Sequence, residues 1–215
     1  VNFKISNYYE KLETSATASD IKKKQEGEYF ENLFSYGLTL NNLDQNFQPT
    51  EGYLTQFQQT LPIYSDDFTI ENTFKGSKYY SLGDDYVLSG KIFAKAVNSI
   101  DDNVRVSKRV YIPSRRLRGF ESGSIGPKDG TQYIGGNYGT AINLNTTIPN
   151  ILNNNENIDF NLFFDAANLW HVDYDNSLDS DKFRSSTGLA LNWFTPVGPL
   201  SFSYAIPITE ASSDK

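Results

Sequence analysis

Thr187-Gly188-Leu189-Ala190-Leu191-Asn192-Trp193-Phe194-Thr195-Pro196-Val197-Gly198-Pro199-Leu200-Ser201-Phe202-Ser203-Tyr204-Ala205-Ile206 reads as two strands joined by a turn. Thr187, Leu189, Leu191 and Trp193 alternate with Gly188, Ala190 and Asn192. Beyond the turn, Leu200, Phe202, Tyr204 and Ile206 alternate with Ser201, Ser203 and Ala205. Successive side chains of a strand point to opposite faces, so this hairpin has one bulky apolar face and one small or polar face. Proline lacks the ladder donor and glycine admits turn dihedrals, so Pro196-Val197-Gly198-Pro199 is the reversal.

The same period recurs toward the N-terminus. Ile158, Phe160, Leu162 and Phe164 oppose Asp159, Asn161 and Asp165, and Ile134, Tyr138, Ile142 and Leu144 oppose Asn137, Asn143 and Asn145. Tyr86, Leu88, Gly90, Ile92 and Ala94 oppose Ser89, Lys91 and Lys95. Residues 68–80 form another run, and Tyr53, Thr55, Phe57, Gln59 and Leu61 a weaker one. Phe34, Tyr36, Leu38 and Leu40 alternate with Ser35, Gly37, Thr39 and Asn41, and Val1, Phe3 and Ile5 with Asn2, Lys4 and Ser6. The count is about nine antiparallel strands, each near the roughly 9–11 residues that cross a bilayer at a tilt. Short turns are expected at Ser65-Asp66-Asp67, Gly83-Asp84-Asp85 and residues 196–199, and long loops at residues 14–31, 99–131 and 171–182. Long loops at one rim and short turns at the other are the outer-membrane barrel pattern, although the turn at residues 65–67 falls at the long-loop rim. No convincing helix is expected: residues 21–33 are the one candidate for a short one, but Lys22-Lys23-Lys24 reads rather as a solvated loop face.

Composition fits this reading without deciding it. Hydrophobic residues make up 38% of the 215 and aromatics 14%, a balance suited to a wet interior and an aromatic-studded exterior. A soluble β-sandwich is the competing architecture. The net charge of −7 excludes a general nucleic-acid binder, which needs a basic footprint. No run approaches the roughly 18 apolar residues of a membrane helix, so any span is built from strands. With Cys 0, disulfides and thiolate metal sites are excluded. Met 0, the start inside a strand pattern at Val1 and the polar stretch Ser212-Ser213-Asp214-Lys215 predict a piece of a longer chain. An odd strand count predicts the same, because an unclosed edge in lipid leaves backbone groups unsatisfied.

The loop over residues 99–131 is far longer than the roughly 12–15 residues typical of structureless connections. It is basic (Arg105, Lys108, Arg109, Arg115, Arg116, Arg118) and then glycine-rich, Arg118-Gly119-Phe120-Glu121-Ser122-Gly123-Ser124-Ile125-Gly126-Pro127. Here the chain resembles the BamA-type outer-membrane assembly family of bacterial surface-antigen barrels. Leu117-Arg118-Gly119-Phe120 looks like that family's Arg-Gly-Phe loop motif. The continuation through Gly126-Pro127-Lys128-Asp129 to Tyr133-Ile134-Gly135-Gly136-Asn137 is closer to these proteins than to their secretion relatives. Phe163-Phe164-Asp165-Ala166-Ala167-Asn168-Leu169-Trp170 is similar to the family's Phe-Asp strand, and residues 193–207 to its final hairpin region. The motif match covers residues 111–208; residues 1–98 match in strand spacing alone.

The resemblance implies an all-β fold, an antiparallel transmembrane β-barrel of sixteen strands of which these are the seventh to fifteenth. Periplasmic repeats, the first strands and the last strand would lie outside this sequence. It also implies that the loop folds into the lumen and that Arg118 meets Asp165, which alternation already places on the luminal face. Such a charge-assisted pair contributes about 1.5–3 kcal/mol if shielded, against about 1–2 kcal/mol per residue to order the loop backbone. Burial of Tyr111, Phe120 and Ile125 must therefore supply the rest. Two positions depart from the family pattern: Ala167 stands where glycine is usual, and Asn145 where a luminal acid is common. Arg118 and Asp165 as ordinary solvated charges are the competing reading.

The implied function is insertion of barrel proteins into the bacterial outer membrane. A weak seam between first and last strands opens sideways, and a client strand adds to it. The implied partners are unfolded clients, outer-membrane lipids with lipopolysaccharide, and accessory lipoproteins. No enzyme activity, cofactor or nucleotide is expected, and no nucleophile comes with a paired base. Arg115, Arg116 and the other basic loop residues are expected to be solvated or to face lipopolysaccharide. Asp173, Asp175, Asp179 and Asp181 fail the EF-hand spacing, with Leu178 at the glycine position and Arg184 at the bidentate position, so no metal site is expected. Gly135-Gly136 follows no strand-to-helix step, which excludes a phosphate loop. His171, beside Trp170, is expected at the membrane interface, with Tyr138, Trp193, Phe202 and Tyr204 as outward aromatics. The rival functions are a secretion transporter of the same superfamily and a passive porin.

Overall fold

The computed structural model describes residues 1–83, 86–101, 103–148, 157–179, 182–212 and 214. Asp84 and Asp85 of the expected turn lie outside the described residues, as do Asp181, Ser213 and Lys215. The long strands are β1 (Asn2–Leu12), β2 (Gly27–Asn41), β3 (Gly52–Ser65), β4 (Thr69–Gly83) and β5 (Tyr86–Ser99). After a long loop holding the two-residue strands β6 (Lys128–Asp129) and β7 (Gln132–Tyr133) come β8 (Tyr138–Ile148), β9 (Ile158–Trp170), β10 (Arg184–Thr195) and β11 (Gly198–Thr209). Nine of them form one antiparallel sheet in the order β1-β2-β3-β4-β5-β8-β9-β10-β11, and β6 pairs with β7 separately.

The faces follow the alternation. Phe3, Leu40, Leu162, Trp193, Phe202 and Tyr204 are exposed along the outer face. A soluble protein rarely leaves so broad an apolar surface in water. A sandwich would bury that face under a second sheet; among the described residues the buried core lies on the opposite face. That core is one cluster, joining Phe93, Val97, Ala141, Ala167 and Leu169 of the wall to Val104, Val110, Ile112, Leu117, Phe120 and Ile125 of the loop.

Three expectations need correction. Strands β2 to β5 run to 14 or 15 residues rather than 9–11, because they continue past an apolar band into the long-loop end. Residues 14–31 are not all loop: Asp20–Lys24 forms one helical turn capped by Ser19, and β2 already begins at Gly27. The basic run sits in its last turn, where lysines suit the carbonyl end of the helix. Finally, Ile134 is not part of a strand with Tyr138. Gly135, at φ +69°, breaks the extended backbone between them, and Ile134 is buried within the loop. The infolded segment therefore runs from Ile100 to Asn137, past the expected limit at residue 131.

Candidate functional site

Asp165 lies on the inner face of β9, opposite Asn143 of β8 and Ser186 of β10. It is fully buried and accepts four hydrogen bonds. The Arg118 guanidinium supplies two in parallel, Nε to Oδ2 and Nη2 to Oδ1, each at 2.7 Å. The Arg118 backbone N–H donates to Oδ2 at 3.1 Å, and Asn143 Nδ2 to Oδ1 at 2.7 Å. Asn143 Nδ2 also donates to the Arg116 carbonyl at 2.9 Å, so one amide ties both the loop backbone and the carboxylate. The guanidinium carbon stands 3.5 Å from the centroid of the Phe163 ring, on the same face of β9. The pairing expected from the motif is therefore present, and it is shielded.

Asn145 completes the socket. It stands where an acid is common in the family, and its Oδ1 accepts from Arg118 Nη2 at 2.9 Å. Arg118 is thus held by one carboxylate and one amide rather than by two acids. Asn145→Asp, nearly isosteric, is expected to tighten the socket by about 1 kcal/mol, because a charge-assisted bond is about twice as strong as a neutral one. A roughly fivefold slower tryptic cleavage at the exposed Arg115 is the corresponding observation.

The glycines permit the close fit. Gly119 has φ +89°, and a Cβ there would stand 3.0 Å from Ala205 Cβ on β11. Gly126, at φ +95°, lies against Leu169, and Pro127 beside it is buried, its carbonyl accepting from Ile134 N. Gly135 and Gly136 return the loop to the sheet; Gly136 and Val110 exchange both backbone hydrogen bonds. Phe120 and Ile125 are buried as expected, whereas Tyr111 is only partly so. Burial pushes the Tyr111 hydroxyl up to about 12, so it stays neutral. Six loop side chains enter the core at about 1.5–3 kcal/mol each. Together they outweigh the ion pair: apolar burial keeps the loop in, and Arg118 orients it.

The basic loop residues are not all solvent-facing. Arg115 is exposed and Arg116 lies 3.6 Å over the Phe93 ring, but Arg105 and Arg109 are buried. Arg105 bonds Glu31, and Arg109 bonds Asp173 at 2.7 Å. Buried cations must be paired, so Arg105 takes Glu31 on β2 and Arg109 takes Asp173 in the segment just beyond β9. Asp173 also accepts from Val104 N and Asn137 Nδ2, so its oxygens serve the loop. His171 adopts φ +68° and stacks on Tyr138 at 4.9 Å. Arg184, read from spacing as a failed metal position, is buried and pairs with Asp214 at 2.9 Å. Glu31 on β2 and Asp214 beyond the end of β11 carry no local signal, because a lone carboxylate looks like any solvated charge.

Below the socket, Arg118, Asn145, Asn161 and Asn192 line a chamber of about 590 Å³. At its far end Phe47 meets Phe194 edge-on at 5.0 Å, and Gln48 donates to Asp159. The arrangement holds a loop inside a curved wall with amide-rich space beneath it.

A single curved antiparallel sheet, apolar outside and sealed inside by an infolded Arg-Gly-Phe loop, defines an outer-membrane strand domain. The Omp85 superfamily domain model matches residues 1–215, including the N-terminal strands that motifs left unassigned, and the chain belongs to the Omp85 superfamily. Within it the similarity is to BamA-type proteins. The outer membrane protein assembly factor BamA of Nitratidesulfovibrio vulgaris is 28% identical over 212 residues, covering 94% of this chain and 26% of that protein. The BamA of Neorickettsia risticii is 28% identical over 215 residues, covering 95% and 28%. A SAM50-like protein of Schizosaccharomyces pombe is 26% identical over 213 residues, covering 92% and 44%. The crystal structure of Haemophilus ducreyi BamA lacking POTRA domains 1–3 superposes with a TM-score of 0.80 at 29% identity, covering 89% of this chain and 41% of that one. This chain spans about a quarter of the length of the two BamA relatives.

Proposed function

We propose that the intact protein inserts and folds β-barrel proteins in the outer membrane. The observation that carries this reading is the Arg118–Asp165 socket, set in a chain similar to BamA along nearly its whole length. In this reading the nine strands belong to a sixteen-stranded barrel, and the seam between its first and last strands accepts client strands by edge pairing. Closing a client's backbone hydrogen bonds in lipid is itself favourable, so no nucleotide, cofactor or enzymatic step is needed. Clients, surrounding lipids with lipopolysaccharide, and accessory lipoproteins are the partners. The sheet supplies the rear wall, and the β10–β11 hairpin lies toward the seam.

The test places the full-length protein in lipid vesicles and adds an unfolded barrel client. Faster appearance of heat-modifiable, protease-resistant client than in empty vesicles is the expected result. A secretion transporter would instead carry a soluble partner into the vesicle lumen, and a porin would show a stable open conductance. Either of those without client folding would replace the assembly reading.

A further inference from the structure

The infolded loop is held on a second wall by chemistry outside the Arg-Gly-Phe motif. Glu31 of β2 is fully buried, and each of its oxygens takes a different cation from one short turn of the loop. Arg105 Nη2 donates to Oε1 at 2.6 Å, and Lys108 Nζ donates to Oε2. The same Arg105 reaches Glu10 of β1 through Nε at 3.1 Å and stacks 3.8 Å over the Tyr29 ring of β2. Its Nη1 stands 3.6 Å from Asp67 in the β3–β4 turn, too far for a hydrogen bond. Ser107 adds a bond to Glu10, and Gln25 accepts from Val106 N. Glu10, Tyr29 and Glu31 lie on β1 and β2, with Gln25 just before β2 and Asp67 in the β3–β4 turn, whereas Asp165, Asn143 and Asn145 lie on β8 and β9.

We propose that Glu31 is a positioning residue: with Arg105 and Lys108 it fixes the root of the loop on β2, five strands along the sheet from Asp165 on β9, so that the loop is a strut across the inner face of the sheet. The reason lies in the cost of the arrangement. Apolar side chains would fill the same space without desolvating three charges, but they would accept many registers. A carboxylate with both oxygens committed accepts one. Residues 105 and 118 are joined by a chain pinned at Val110, Ile112 and Leu117 in the core, so a root that slides displaces Arg118 from its socket. The consequence for client folding rests on the assembly reading above; the anchor itself does not.

The experiment uses the full-length protein in detergent and follows tryptic cleavage after Arg115. Glu31→Gln keeps the shape and removes the charge, and at least tenfold faster cleavage is expected while the barrel keeps its heat-modifiable migration. Lys108→Met, on the loop itself, is expected to give at least threefold and decides the matter if Glu31→Gln does not fold. In client assembly, Glu31→Gln combined with Arg118→Ala should be no worse than the lower single variant, because both act through one loop position. Cleavage within twofold of wild type in the folded variants, or fully additive losses in assembly, would overturn the proposal. Should the protein assemble no clients at all, the cleavage rates still report the anchor and only the assembly reading falls.

Discussion

Replacing Asp165 by alanine is expected to lower client assembly at least tenfold while the barrel remains in the membrane. The carboxylate accepts both guanidinium bonds, the Arg118 backbone N–H and the Asn143 amide. Its removal leaves an arginine only 18% exposed with Asn145 as its one remaining side-chain acceptor in the socket. Breaking a buried pair from one side costs about 3–5 kcal/mol. The lower end applies here, because Arg118 keeps some solvent and one amide. That corresponds to about a hundredfold change in socket occupancy at 1.4 kcal/mol per decade. The six apolar loop side chains remain buried, so the loop stays inside and loses its orientation. Folding yield in the membrane and assembly rate in vesicles separate these two effects. Normal assembly by Asp165→Ala would remove the role given to the pair.

The same geometry makes the two partners unequal. Arg118→Ala leaves Asp165 with two donors, the backbone N–H and Asn143, so it should disturb the loop less than Asp165→Ala does. The exchange Arg118→Asp with Asp165→Arg, natural to consider from sequence, is not expected to restore function. An arginine at 165 would face those same two donors. Direct pairing therefore needs a test other than charge reversal.

How far this could be read without coordinates depends on what carried the signal. Period-two alternation placed all nine sheet strands, because a half-buried strand repeats its environment every second residue. It failed at Ile134, where the apolar pattern runs on but the backbone turns at Gly135. The meeting of Arg118 with Asp165 was legible only through resemblance; parity put Asp165 inside, and nothing in spacing joined it to residue 118. Arg105, Lys108 and Arg109 were misread because a basic run in a loop is ordinarily solvated. Their burial depends on carboxylates far away in the chain, Glu31 and Asp173, and such pairings leave no local trace. Asn145 departs from the family's luminal acid without leaving Arg118 short of a partner. It is a working acceptor, since an amide oxygen can receive the bond that a carboxylate would.

The glycine-rich arm separates a required glycine from a tolerant one, and this gives the other large expected effect. Gly136 and Val110 exchange two backbone hydrogen bonds, and Gly136 lies against the backbone of Trp170 at the end of β9. A Cβ at 136 would stand 2.6 Å from the Trp170 carbonyl oxygen and 2.9 Å from its nitrogen. Neither atom can swing aside, because Asn137 N donates to the next carbonyl, that of His171, and holds the segment in place. Overpacking costs about 1–3 kcal/mol, and each backbone hydrogen bond lost adds about 1. Gly136→Ala should therefore release the returning arm, with faster hydrogen exchange at Val110 and Asn137 and assembly reduced tenfold or more. Gly130 is the control: its backbone, unlike that of Gly136, is left-handed at φ +60°, but a Cβ there meets nothing within 4 Å. Gly130→Ala bears only the dihedral penalty of about 1–2 kcal/mol at an exposed tip, and assembly should stay within about twofold of wild type. If the two variants behaved alike, close packing of the returning arm against β9 would not be what holds the loop, and the apolar cluster alone would have to explain its seat.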